Sequence, residues 1–584
     1  MFRPEYPRPE LKRGKWINLN GEWQFEFDFG NNGVSGCDMD ITKANKDDIF
    51  ISKCKQDLSS KIQVPFCPES KLSGIGYTDF FDACWYKKEV DIPADWTGRT
   101  ILRFEASYYR TMVFVNGNPV GVHKGGYTPF AFDITDYIVD GKALILVHVD
   151  GDARDKKQPS GKQSALRKSF GCFYTRTTGI WQTVWLENVP DTYLEKYKVT
   201  PDVDNGRAYV DLYFNKEGFK EVSLTAKEGD LVVADTVVKG TTQILKAVID
   251  IKDAKLWDID SPNLYDLIIT TKTDKTTDTV CGYFGLRKIE YLNGKFLING
   301  KKIFHRMVLD QGYYPDGIYT APTLNDLEND IYLSKAFGFN GARLHEKVFE
   351  RNFLYLADKL GYLVWGEYPS WGFDYTDDEN TQIYINEWLE SVDRDYNHPA
   401  IIGWCPMNEN WAVNGRQQSN DLVLAVYKAT KLADETRPCL DVSWNYHVKT
   451  DIFDTHNYCQ EVDKFKDMFG KFENGVGFDE YKQKHEGQPY FLSEYGGIAW
   501  SKKESGWGYG NAPKTEEEFI DRYIGLSDVL HGNPDIYGLC YTQLYDVEQE
   551  QNGLYYYDRT PKFSQEVIQK LAKAMAKPAE YEKD

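Results

Sequence analysis

Through residues 1–190, short alternating runs of apolar and polar side chains are cut by the turn pairs Asn20-Gly21, Asn116-Gly117 and Asp140-Gly141. Asn116-Gly117 separates Val113-Phe114-Val115 from Val120-Gly121-Val122, the pattern of a tight hairpin whose turn needs positive φ. Many short strands of this kind predict a β-sandwich or jelly roll. Over 191–290 strand-like runs continue, as in Val222-Ser223-Leu224-Thr225-Ala226 and Leu267-Ile268-Ile269-Thr270-Thr271, with Trp257 and Pro262 between them. A stretch of about 100 residues with that pattern predicts an immunoglobulin-like sandwich.

From 291 to 584 the period changes. Strands are expected at 302–310, 341–345, 362–367, 401–409, 439–444, 452–458, 489–497 and 536–546. Amphipathic helical segments fill most gaps, at 324–338, 349–360, 380–396, 419–435, 515–531 and 562–576. In the first of them Leu324, Leu327 and Ile331 follow i, i+3, i+7 spacing. Strands alternating with helices in this way predict a (β/α)8 barrel, least regular at the short connection between the fifth and sixth strands.

Composition narrows the function classes. With 41% hydrophobic and 15% aromatic residues, the 584-residue chain can bury sizeable cores and is not a disordered chain. A formal charge of −20 without a clustered Lys/Arg surface argues against a nucleic-acid partner. Met1-Phe2-Arg3-Pro4-Glu5 lacks the basic-then-apolar order of a secretory signal. No apolar run approaches the roughly 20 residues that cross a bilayer, so no membrane partner and a cytoplasmic location are expected. The ten cysteines, from Cys37 to Cys540, contain no Cys-x-x-Cys pair and are expected to be mostly buried and reduced. Neither a clustered metal site nor a cofactor is implied.

In a (β/α)8 barrel the chemistry sits at the C-terminal ends of the strands. Those ends carry Asp310, Arg343-Leu344-His345-Glu346, Glu367 with Trp371 nearby, Asn408-Glu409, His456-Asn457-Tyr458, Ser493-Glu494 and, on the eighth, Gln543 and Asp546. A lone glutamate after a strand is more often a helix cap or a rim carboxylate. Glu409 and Glu494 instead end nearly apolar strands three apart on one face, among aromatic residues. Paired carboxylates across a barrel mouth are the apparatus of a retaining glycosidase, at a separation of about 5–5.5 Å. One attacks the anomeric carbon while the other, kept protonated by its neighbour's charge, protonates the leaving oxygen and later activates water. Asn408 is placed to hold the sugar 2-hydroxyl and Tyr458 to orient the nucleophile.

Along nearly its whole length the chain resembles glycoside hydrolase family 2. The carriers are Leu19-Asn20-Gly21-Glu22-Trp23, Trp85-Tyr86, His123-Lys124-Gly125-Gly126-Tyr127-Thr128-Pro129-Phe130 and Thr178-Gly179-Ile180-Trp181-Gln182. In the barrel they are Arg394-Asp395-Tyr396-Asn397-His398-Pro399, Asn408-Glu409 and Ser493-Glu494-Tyr495-Gly496. The resemblance implies a jelly-roll sugar-binding domain (1–190), an immunoglobulin-like domain (191–290) and a catalytic barrel (291–584). It also implies a retaining exo-β-glycosidase with Glu409 as acid/base and Glu494 as nucleophile. Asp310, Arg343, His456, Tyr458 and Trp500 follow as pocket residues by family position. Arg343 reads equally well as a structural ion pair, and Trp371 and Trp500 as rim packing or as sugar platforms.

The family spans β-galactosidases, β-glucuronidases and β-mannosidases. Its glucuronidases read the substrate carboxylate with an Asn-x-Lys element, where this chain has Glu550-Gln551-Asn552 before Gly553-Leu554-Tyr555. An acidic residue there, near Asp546 and Glu548, disfavours a uronate unless Lys347 or another base holds it. The metal-dependent galactosidases carry Ser-His-Tyr-Pro after the strand-two arginine, whereas this chain has Leu344-His345-Glu346-Lys347. Strand eight reads Tyr541-Thr542-Gln543-Leu544 where relatives often place tryptophan, so the metal does not carry over.

The expectation is therefore a β-galactosidase acting on an oligosaccharide or small glycoside. β-Glucuronidase, β-galacturonidase, α-L-arabinopyranosidase and β-mannosidase activities are the alternatives, and a non-catalytic carbohydrate-binding protein is the rival from another class. A transglycosylase would use the same residues, and a homo-oligomer would fit the family. The polar loop Asp155-Lys156-Lys157-Gln158-Pro159-Ser160-Gly161-Lys162 is either a solvated connector or a wall of the active site, in its own subunit or a neighbour's.

Overall fold

The computed structural model describes residues 3–30, 53–410, 413, 415–444, 446–472, 483–502 and 506–583. Cys37 lies outside them. Of the cysteines within them, Cys67, Cys84, Cys405, Cys439 and Cys540 are buried, but Cys281 is exposed and Cys54, Cys172 and Cys459 are half-buried. Five of the nine described cysteines are thus buried, and the exposed Cys281 lies on an outward-facing position of the strand Thr277–Phe284.

The first sandwich packs a six-stranded antiparallel sheet against a four-stranded one. Its hairpin pairs Arg110–Val115 with Asn118–Lys124, and Asn116 and Gly117 sit at φ 49° and 77°, the left-handed pair that a two-residue turn requires. Alternate inward side chains such as Trp23, Phe25, Tyr86, Leu102 and Val147 fill the space between the sheets. The second sandwich faces a three-stranded sheet with a four-stranded one, and Val222, Leu224, Leu267 and Ile269 project into its own core.

The remaining chain forms strands β1 (His305–Asp310), β2 (Gly341–Leu344), β3 (Leu363–Glu367), β4 (Ile401–Cys405), β5 (Val442–Ser443), β6 (Phe453–Asn457), β7 (Tyr490–Gly496) and β8 (Ile536–Thr542). Parallel ladders join them in the order β4-β3-β2-β1-β8-β7-β6, a curled sheet. Helices α1 (Leu324–Ala336), α2 (Arg351–Leu360), α3 (Thr381–Asp395), α4 (Asn420–Ala433), α5 (Val462–Phe469), α6 (Glu516–His531) and α7 (Gln565–Met575) intervene. In α1, Leu327 and Ile331 are buried, and the Thr323 hydroxyl caps the first turn by accepting from the Asp326 N–H.

Two sequence expectations change. The fourth strand does not run unbroken from 401 to 409: it stops at Cys405, since Pro406 has no N–H to give the ladder, and resumes as Met407–Asn408 paired with β5. The fifth strand shrinks from 439–444 to two residues, and side chains join it to β6, with the Ser443 hydroxyl donating to Asp454 at 2.7 Å. Helix α5 was not expected from the sequence; only eight residues long, it shows just Phe465 and Phe469 as a buried i, i+4 pair. Among the described residues no helix is long and apolar enough to cross a membrane.

Candidate active site

The break at Pro406 sets up the first carboxylate. Glu409 leaves the short Met407–Asn408 strand at φ 45°, and its N–H donates to the Ser443 carbonyl at 2.9 Å. Side-chain-bearing residues seldom adopt that backbone, and such outliers gather where a side chain must be aimed. Its carboxylate meets His456 Nδ1 at 2.6 Å. Glu494, in the fully buried strand β7, approaches the same imidazole nitrogen at 3.5 Å. An oxygen of Glu409, an oxygen of Glu494 and a ring nitrogen of His456 all lie within 4.8 Å of one another.

Each Glu494 oxygen is held separately. The Tyr458 hydroxyl donates to Oε2, and Arg343 Nη1 donates to Oε1 at 3.1 Å. Burial pushes the Glu494 pKa up, but His456, His345, Arg343 and Lys162 together outweigh burial and hold it well below the usual carboxylate range. Burial favours neutral imidazole at His456, yet Glu494 and Glu409 outweigh it and raise the His456 pKa.

Arg343, on β2, uses its planar fork fully. Its Nε donates to Glu367 at 2.5 Å, Nη1 also to the Ser493 carbonyl at 2.8 Å, and Nη2 to Asn408 Oδ1 at 3.0 Å. The Asn408 Nδ2 group is left buried with no hydrogen-bond partner among the described residues. Trp371 donates from its indole to the Asn408 carbonyl at 2.9 Å.

Three sequence-derived candidates stand apart from this cluster, and none bonds to either carboxylate. Asp310 ends β1 with Oδ1 accepting from the Tyr545 hydroxyl and the Gly312 N–H, and its buried Oδ2 has no partner among the described residues. Burial, helped by the nearby Asp330, raises the Asp310 pKa to about 6. Gln543 is spent in a buried chain, accepting from Gln311 at 2.9 Å and donating to Asn552 at 2.7 Å. Trp500 is half-buried; its backbone N–H donates to the Gln551 carbonyl and its indole N–H has no partner.

Lys347 cannot read a substrate carboxylate. Its ammonium donates to the Gly312 and Tyr319 carbonyls and lies over the Trp181, Tyr319 and Phe349 rings, with burial depressing its pKa to about 7. A different lysine, Lys162, comes to the barrel from the first sandwich. The loop 155–162 docks on the barrel of its own chain: the Ser160 and Gly161 N–H groups donate to the Trp371 carbonyl at 3.0 and 2.9 Å. Lys162 then lies 5.1 Å from the Trp371 ring centroid, buried, with no carboxylate at ion-pair distance among the described residues. Burial lowers its pKa, but Glu550, Cys172, Glu494 and Glu409 more than compensate, so the ammonium stays charged.

The ion pair that the sequence allowed for Arg343 is present, and its partner is Glu367. Glu367 binds Arg343 and, at 3.0 Å, His345 Nδ1; burial raises its pKa, but Arg343 and His345 bring it down to about 2. The chain held a signal for this, because Arg343 lies on β2 and His345 just past its end, beside a strand that ends in Glu367. Glu550 accepts from the Tyr174 hydroxyl and from Asn552 at 3.1 Å, a link between the first sandwich and the barrel that no local pattern announces.

Comparison with known proteins bears on this geometry. Family models described as the glycosyl hydrolases family 2 sugar binding domain, glycosyl hydrolases family 2, and its TIM barrel domain match residues 17–190, 192–287 and 289–577. The chain belongs to glycosyl hydrolases family 2. Among its family 2 relatives is a putative beta-glucuronidase of Formosa agariphila, 29% identical over 431 residues, 71% of this chain and 50% of that protein. A beta-galactosidase of Thermoanaerobacterium thermosulfurigenes is 27% identical over 437 residues, 72% of this chain and 58% of that protein. The matches thus span 50% and 58% of the length of these two curated relatives. Among solved family 2 folds, a beta-D-glucuronidase of Dictyoglomus thermophilum superposes with TM-score 0.76 at 21% identity, covering 97% of this chain and 98% of that one.

Proposed function

We propose that this family 2 protein is a retaining exo-β-glycosidase that takes a neutral sugar, foremost a β-galactoside. The observation that carries the reading is the Glu409–Glu494 pair. Carboxylate oxygens within 4.8 Å suit the roughly 5–5.5 Å geometry of double displacement and leave no room for the water an inverting enzyme needs.

Glu494, held ionised, attacks the anomeric carbon as Glu409 delivers its proton to the glycosidic oxygen and the C–O bond breaks. Water then attacks the glycosyl-enzyme, gives its proton to Glu409 and releases Glu494. Tyr458 and Arg343 stop the nucleophile from rotating, and His456 lies between the two carboxyl groups, hydrogen-bonded to Glu409. Glu409, His456 and Glu494 are also ligand types for a metal.

The neutral sugar is supported by the unspent polar atoms. The free Asp310 Oδ2 accepts and the free Asn408 Nδ2 donates, as sugar hydroxyls require, while Glu550 adds negative charge where a uronate carboxylate would sit. A uronide is the second reading, because Lys162 brings an unpaired cation to the same mouth and relatives include a putative beta-glucuronidase.

Initial rates on aryl β-galactoside, α-L-arabinopyranoside, β-mannoside, β-glucuronide and β-galacturonide separate the two. A leading β-galactoside rate that disappears in Glu494→Ala supports the proposal. A leading uronide rate that falls in Lys162→Met supports the second reading, and no rate on any substrate removes both. Product analysis on a disaccharide distinguishes water from sugar as acceptor.

A further inference from the structure

Between the first sandwich and the barrel lies a cavity of about 240 Å³ that the reading so far does not use. Cys172 and Phe173 wall it from the sandwich, and Trp371, Phe373 and Tyr375 from the loop after β3. Lys156 stands at its exposed lip. Phe173 and Trp371 are both half-buried, with ring centroids 5.2 Å apart and planes tilted by 42°. Aromatic faces left partly bare in a concave wall, rather than packed into the core, are a feature of ligand sites.

The cavity's place relative to the chemistry follows from its wall. The Trp371 indole donates to the carbonyl of Asn408, the residue before Glu409, and the Lys162 ammonium lies 5.1 Å from the centroid of the same Trp371 ring. The acid protonates the oxygen that joins sugar to leaving group, so the leaving group departs on the side of Glu409. We infer that this cavity holds the aglycone, and that the aglycone it suits is an aromatic ring. The inference rests on Glu409 being the acid.

The walls favour a ring over a second sugar. Several polar groups of the aromatic walls are already spent, leaving Lys156 at the exposed lip: the Trp371 carbonyl accepts from Ser160 and Gly161, its indole N–H serves Asn408, and the Tyr375 carbonyl accepts from the Ser419 N–H. A sugar entering there would shed water from its hydroxyls and find few partners, whereas a flat apolar ring loses nothing and gains aromatic contact.

Ethyl and 2-phenylethyl β-glycosides of the preferred sugar test this, because both release primary alcohols while only the second carries a ring. The wild-type enzyme is expected to favour the 2-phenylethyl glycoside in kcat/KM by about tenfold or more, on the scale by which apolar pockets discriminate. Phe173→Ala should erase most of that preference through KM while changing the ethyl glycoside rate less than about twofold, which also verifies the fold. Phe173→Leu, which keeps an apolar wall, should retain part of it. Equal rates for the two glycosides in the wild type, or an equal fall for both in Phe173→Ala, would overturn the aglycone assignment and leave the hydrolysis standing. Should the wild type cleave neither of them nor any aryl glycoside, the acid role of Glu409 falls, and the inference with it.

Discussion

Glu409 and Glu494 share an imidazole, yet their surroundings differ in a way that assigns distinct losses. Glu494 is gripped by Tyr458 and Arg343, and on the proposed mechanism Glu494→Ala should remove the covalent route altogether. On the same mechanism Glu409 contributes a proton, which matters in proportion to how badly the leaving group needs it. Glu409→Ala should therefore lose about 10²–10⁴-fold on an alkyl glycoside and far less on a dinitrophenyl glycoside. Added azide should then restore turnover and give a β-glycosyl azide; an α-azide would sink the retaining mechanism.

Asp310 yields a separate pH signature at this scale. Its raised pKa, about 6, means that it becomes neutral as pH falls through 6, and a neutral carboxyl loses acceptor strength toward a sugar hydroxyl. Glu494, held low, stays ionised through that range. KM should accordingly rise below pH 6 while kcat holds, and in Asp310→Asn KM should be raised and flat across the same range. A kcat that tracks KM downward would count against this division.

At the scale of elements, the loop 155–162 couples the first sandwich to the barrel. Gly161 is what lets it dock: at φ 57°, an added Cβ would meet the Glu346 carbonyl at 2.5 Å and Pro369 Cβ at 2.8 Å. Gly161→Ala should lift the loop, shift Lys162 and lower kcat/KM by about tenfold, whereas Gly171→Ala controls for backbone strain alone. Gly171 has φ 51° but nothing within 4 Å of an added Cβ, so a matching loss there would leave the docking unimportant. Among the strands, the break in β4 at Pro406 and the two-residue β5 show why sequence limits drift here. An apolar run tells that a strand exists, but where its ladder stops depends on which neighbour has an N–H or carbonyl to offer.

For the whole molecule, the barrel's apolar core extends into the first sandwich, whose two sheets also enclose a core of their own. Tyr127 meets Tyr368 at 5.8 Å between ring centroids and Trp181 meets Tyr319 at 5.2 Å, whereas the core of the immunoglobulin-like unit is separate and Trp257 is its one buried residue in the barrel's cluster among the described residues. Ion pairs reinforce the junction, Arg3 with Glu350 at 2.6 Å among them. Calorimetry should show the first sandwich and the barrel unfolding in one transition. A fragment beginning at 291 should expose that shared surface and lose activity together with Lys162 and Tyr174; an active, soluble barrel fragment would contradict this.

Much of this protein was legible along the chain, because strand and helix periods are local and the glutamates sit at strand ends that periodicity alone locates. Asn408-Glu409 and Ser493-Glu494 are of that kind, and so is the Asn116-Gly117 hairpin, whose positive φ values follow from the residue types. Local pattern carries no information about which distant groups meet. The separation of the two carboxylates, the grip of Glu367 on Arg343 and the inward burial of Lys347 come from closing the barrel. Lys162 and Phe173 reach the mouth from another domain, about 200 residues away along the chain, across a boundary that each segment's own pattern would leave to solvent. The chain's local chemistry settles where the reacting groups lie on their elements. Only packing decides their charge states and what stands opposite them, since both depend on burial and on neighbours brought together in space.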